Sequence, residues 1–60
     1  MNLYILIYNQ MANPSNTKEV IEFIQATNDA NAQTAANLIV DAEVSYADAR
    51  LFSVGSDIGL

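Results

Sequence analysis

The chain has no cysteine, no histidine and no tryptophan, one proline (Pro14), two glycines (Gly55 and Gly59) and two basic residues, Lys18 and Arg50. Without cysteine there is no disulfide framework, and without cysteine and histidine together most structural zinc sites are excluded. The same absences remove the thiolate, the imidazole and the Ser-His-Asp arrangement, so only Ser, Tyr, Lys and carboxylates remain for covalent or acid–base chemistry. Two isolated bases cannot neutralise a row of phosphates, which argues against nucleic acid as a partner. A non-enzymatic protein with no cofactor and no metal is therefore expected.

Long apolar runs are also missing. The longest covers residues 3–8, far short of the roughly 20 residues a transmembrane helix needs. No positive charge precedes it and no small-residue cleavage pattern follows, so it does not read as a secretory signal. The single Asn-x-Ser/Thr triplet, Asn13-Pro14-Ser15, is blocked by its proline. No membrane association and a cytoplasmic location are the expectations.

What is present is a short, apolar, acidic chain of 60 residues, 52% hydrophobic, with a net charge of −5. A single domain of this size buries only about 60% of the surface its unfolded chain exposes. Disulfides, a structural metal and oligomerisation are the usual supports for such a domain, and the third is the one left open. The acidic balance suits solubility or a basic surface on a protein partner.

Residues 3–8 combine β-branched and aromatic side chains, and alternation sends Leu3, Ile5 and Ile7 to one face and Tyr4, Leu6 and Tyr8 to the other. Apolar character on both faces is the pattern of a strand covered on two sides. A loop is expected around Pro14, then a helix over about 16–27. Ser15 or Asn16 would cap it, Asn16 and Glu19 have capping-box spacing, and Val20, Ile21, Phe23 and Ile24 form one apolar arc.

Beyond Asn28 the pattern fits two periods. Leu38, Val40, Ala42, Val44 and Tyr46 alternate as in a strand, whereas Ala35, Leu38, Ile39, Ala42, Tyr46 and Ala49 share a helical face behind Asp29 as a cap. From Ser15 to Val54 there is neither glycine nor proline, which disfavours a hairpin near Tyr46 to Arg50. The preferred reading is an α+β, mostly helical single domain with one strand (3–8) and helices over about 30–43 and 46–53. A break near Glu43 and Val44 separates these two, and Gly55 ends the last. The runner-up is a small β-α-β-β sheet with one helix.

A lone strand leaves its backbone groups unpaired, so the preferred reading pairs it with its copy in a homo-oligomer. Leu3, Tyr4, Ile5, Leu6, Ile7 and Tyr8 are the oligomer-interface candidates, and Tyr46, Arg50 and Phe52 the candidates for binding a partner. Glu19 and Glu22, one helical turn apart, could bind a hard cation or form a carboxylate pair, but the preferred reading is the solvated face of an amphipathic helix. The run "LIVDAEVSYADARLF" resembles a helix-turn-helix phrase, and residues 20–52 are similar in apolar spacing to small ubiquitin-associated three-helix domains. Glu43 stands where a helix-turn-helix has glycine, and Asp48 with a single Arg50 departs from a basic recognition helix.

The combination points to a small acidic protein-interaction module, an inhibitor or adaptor acting as a homodimer or other homo-oligomer. Small antagonists encoded by viruses or mobile elements have this profile. The alternative is a structural subunit of a larger homomeric assembly.

Overall fold

The computed structural model describes residues 1–13, 16–43 and 45–60. Its apolar N-terminal run lies within a strand longer than the run itself, β1 (Asn2–Asn13), followed by β2 (Asn16–Ala26), α1 (Asp29–Asp41), β3 (Tyr46–Ser53) and the short β4 (Ser56–Asp57). The strands form one antiparallel sheet in the order β2-β1-β3-β4, so β1 is central and hydrogen-bonded on both sides within its own chain. This overturns both the mostly helical reading and the lone strand paired across subunits. A small sheet with one helix is nearer to the runner-up, although 16–27, helical in both readings, is a strand.

Local and non-local forces explain that correction. Val20, Ile21, Phe23 and Ile24 satisfy a helical arc, but they equally supply both faces of a strand, and β-branched and aromatic side chains fit a pleated surface. Pairing decides: β2 lies against β1 from Asn2↔Ala26 to Met11↔Thr17, satisfying the backbone groups on one side of the central strand. Asn16 is thus the first residue of a strand and not a helix cap, while the Ser15 start signal lies outside the described residues.

The 46–53 segment is likewise extended, because it closes the other side of β1 through Tyr4↔Ser53, Leu6↔Leu51 and Ile7↔Arg50. Its hairpin partner is not the preceding segment but β4, and the turn falls at Val54 and Gly55, where Gly55 supplies a φ of +81°. With 20–26 and 46–53 extended, neither the helix-turn-helix nor the three-helix resemblance survives; Val44, where a break was expected, lies outside the described residues.

The helix occupies Asp29–Asp41, with Asn28 rather than Asp29 as its cap: the Asn28 side chain accepts from the Asn31 backbone N–H at 2.8 Å. Asp29 stands in the first turn, where its charge complements the helix dipole. The helix rests on Ala32, Ala36 and Val40, all essentially unexposed. Alanines let its backbone lie close to the sheet, and the larger Leu38 points away, 69% exposed.

The sheet contributes Tyr4, Leu6, Tyr8, Ile24, Ala26 and Leu51 to this core. Each buried tyrosine carries its hydroxyl to a carboxylate. Tyr4 donates to Asp29 Oδ1 at 2.8 Å beside the start of α1, and Tyr8 donates to Glu43 Oε1 at 2.9 Å just past its end. Gln10 Nε2 donates to the other Glu43 oxygen at 2.7 Å. One helix is thereby tied to the central strand at both ends.

Candidate functional site

Because side chains alternate along a strand, the residues opposite those under α1 form a second sheet face. The register sets them in rows. Phe23, Ile5 and Phe52 lie side by side across β2, β1 and β3; Ile21, Ile7 and Arg50 make the next row; Leu3 and Gln25 sit at one end. No element covers this face among the described residues: α1, the only helix there, packs on the other side. Phe23 is 68% and Ile21 52% exposed, Leu3 is exposed, and Ile5, Ile7 and Phe52 are half-buried by one another. A shallow apolar hollow lies over Ile5, Ile7 and Phe52 and is bounded by Val54 and Asp57.

Arg50 is the single cation in this region, its guanidinium carbon 5.9 Å from the centroid of the Phe52 ring. That arrangement pairs a cation with an aromatic quadrupole. Toward the far end the face turns polar. Asn9 lies opposite Glu19, and its Nδ2 donates to Asp48 Oδ2 at 3.3 Å. There β3 is irregular: between Ile7↔Arg50 and Asn9↔Ala47 two β3 residues face one β1 residue, and Asp48 takes a φ of +57°. This is a β-bulge with a non-glycine residue in the left-handed region, a conformation aspartate tolerates better than most.

The structure divides the residues expected from sequence. Leu3, Ile5 and Ile7 line the open face, while Tyr4, Leu6 and Tyr8 are 1%, 0% and 3% exposed beneath α1 and present no surface to another chain. The reason is the pleat: a two-faced apolar strand needs two covers, and the chain's own helix supplies one. Arg50 and Phe52 join the open face, whereas Tyr46 lies opposite Gln10 at the other end of β3. Ile21, Phe23 and Val54 were missed as surface residues; alternation of Glu19, Ile21 and Phe23 against Lys18, Val20 and Glu22 was the available signal. Glu19 and Glu22 sit on opposite faces of β2 and cannot act as a carboxylate pair.

Burial, the Glu43 hydrogen bond, and the charges of Glu43 and Glu22 together push the Tyr8 phenol above its ordinary range. For Tyr4 a hydrogen bond from the side chain of Asn2 acts downward, but burial and the hydrogen bond and charge of Asp29 outweigh it, and the net displacement is upward. Both tyrosines are thus held neutral as donors. They tie the central strand to Asp29 and Glu43 at the two ends of α1.

No helix among the described residues is long and apolar enough to cross a membrane. No protein-family model matches the sequence, and no similar characterised protein or solved structure was found. The geometry of the chain itself therefore carries the functional reading.

Proposed function

We propose that the protein is a non-catalytic subunit of a homomeric assembly, and that copies associate through the open face of the sheet. The observation that supports this is the contiguous apolar surface formed by Leu3, Ile5, Ile7, Ile21, Phe23 and Phe52 opposite the helix. Monomeric proteins rarely expose a connected apolar patch of more than a few hundred Å². A stable interface takes about 800 Å² from each partner, about a fifth of the 3987 Å² this chain exposes. In a molecule measuring 37 × 21 × 15 Å, only a broad face can provide that area. Two sheets packed face to face, about 10 Å apart, cover each other's apolar side chains without further adaptation.

Light scattering over a wide concentration range, on the native chain and on Phe23→Asp, tests the proposal. Phe23 is largely exposed in the single chain, so the substitution leaves the fold intact while placing a charge in the seam. The native chain is expected to give a multiple of its 6.5 kDa mass and the variant a smaller one. A native chain that stays monomeric at every concentration would reject self-assembly and direct the same face toward a different protein, as in an inhibitor or adaptor. The expected cytoplasmic location is retained as part of the proposal and is open to fractionation of cells expressing the chain.

A further inference from the structure

We infer that the outer edge of β2 is a second self-association seam, at which two copies pair antiparallel about a two-fold axis through Val20. Strand β2 ends the sheet, is 11 residues long, and among the described residues receives no backbone hydrogen bond from any element other than β1. Such an edge offers a row of free N–H and C=O groups to another strand. The opposite edge is closed differently: β4 covers the end of β3, Ile58 N–H donates to the Leu51 carbonyl at 3.0 Å, and the Asp48 bulge interrupts the remainder. Of the two edges, only β2 presents a long regular ladder.

Charge then selects the occupant and the register. When a strand pairs antiparallel with its own copy, the axis runs perpendicular to the sheet, so residues on the helix side of one copy meet residues on the helix side of the other. A register centred on Glu19 or on Glu22 sets that glutamate against itself. Centring on Ile21 sets Lys18 against Ile24 and Glu22 against Val20. Centring on Val20 sets Lys18 of each copy against Glu22 of the other, twice, with no like charges opposed.

Within one chain these two exposed residues are four positions apart on the same face, about 13 Å along the strand, too far to pair with each other. A second copy brings them directly opposite, where cross-strand charge pairs favour association. Charged side chains on an edge strand ordinarily repel further pairing; here their spacing makes them complementary to this same strand reversed. The product is an eight-stranded sheet with both helices on one side and the two open faces joined on the other. The seam stands without the face-to-face contact proposed above; together the two interfaces would build an assembly larger than a dimer.

The chain's lack of cysteine makes a direct test available. In the inferred register two Val20 residues lie opposite one another, within the Cα separation a disulfide accepts. Val20→Cys is expected to form a disulfide-linked dimer rapidly under mild oxidation, and Leu38→Cys, exposed on the helix, to do so slowly. Face-to-face packing cannot produce the link, because Val20 lies on the helix side; failure of that packing shows instead in Phe23→Asp. Adding Lys18→Glu to Val20→Cys is expected to slow cross-linking about tenfold, and adding Glu22→Lys as well to restore it. Both charged residues are exposed, so circular dichroism should show the fold unchanged in all variants. Cross-linking at position 20 no faster than at position 38, or no response to the charge reversals, would overturn the seam.

Discussion

The two faces of strand β1 are both apolar over residues 3–8 and opposite in fate. Tyr4, Leu6 and Tyr8 are closed over by a 13-residue helix, while Leu3, Ile5 and Ile7, one residue away in each case, look outward among Ile21, Phe23 and Phe52. Hydrophobicity therefore does not distinguish core from surface in this chain. What distinguishes them is cover, and the one helix among the described residues covers one face of the sheet. The uncovered face keeps the composition of a core because, on our reading, another copy completes it.

The sharpest way to test that contrast is to truncate neighbouring residues. Leu6→Ala removes a fully buried side chain, and such substitutions cost about 2–5 kcal/mol. A domain of this length holds roughly 3–9 kcal/mol in all, so Leu6→Ala should remove a large share of the stability and move the urea midpoint far down. Ile5→Ala, half-buried on the open face, should cost about 1 kcal/mol in dilute solution and progressively more as concentration and association rise. Urea titrations at two protein concentrations separate the cases. Equal, concentration-independent losses for the two variants would mean the open face is not completed by another copy.

Legibility in the sequence followed the same divide between local and non-local causes. The two-faced pattern of residues 3–8 was plain, because alternation is local. The identity of its neighbours was not, since β2 and β3 are chosen by pairing with β1 and nothing in 16–26 or 46–53 alone forbids a helix. The missing glycine and proline between Ser15 and Val54 counted against a hairpin that the fold never makes; the turn that exists uses Gly55, just beyond. The helix around 30–43 was expected, but with Leu38 inward. Ala32 and Ala36 face the sheet instead, because Tyr4 and Tyr8 already fill the space between the layers. Of the candidate site, Leu3, Ile5, Ile7, Arg50 and Phe52 were named from sequence, whereas Ile21 and Phe23 stayed hidden inside a supposed helical arc.

A smaller effect probes the ties that hold the helix to its face. Tyr4 and Tyr8 both have phenol pKa values raised above the ordinary value of about 10. The folded state therefore keeps these protons after the unfolded state has released its own, so their contribution is complete below about pH 10 and is lost as pH rises through the folded values. Stability is expected to fall on the alkaline side, followed by phenolate absorbance and circular dichroism together. Tyr8→Phe should lower neutral stability by about 1 kcal/mol, leaving Glu43 its Gln10 bond, and should weaken the alkaline decline. An unchanged decline in that variant would assign the pH dependence to Tyr4 or to another group.

The smallest expected change lies at Asp48, where the contrast between faces is set for β3. Its bulge offsets the register by one residue, so Leu51 and Ala49 turn toward the core while Ala47, of the same parity, lies beside Asn9 on the open side. Left-handed backbone costs an ordinary residue with a Cβ about 1–2 kcal/mol, less for aspartate, whose short polar side chain bonds locally, and glycine avoids that cost at some loss of unfolded-state entropy. The bond from Asn9 to Asp48 is long at 3.3 Å and exposed, so little is lost with it. Asp48→Gly should thus be stabilising by a few tenths of a kcal/mol, and Asp48→Ala destabilising by about 1 kcal/mol, both read by thermal unfolding. If glycine instead destabilised the chain, the polar end of the open face would owe its shape to the Asn9 and Asp48 side chains, and the boundary of the apolar surface would be fixed by hydrogen bonding and not by backbone conformation.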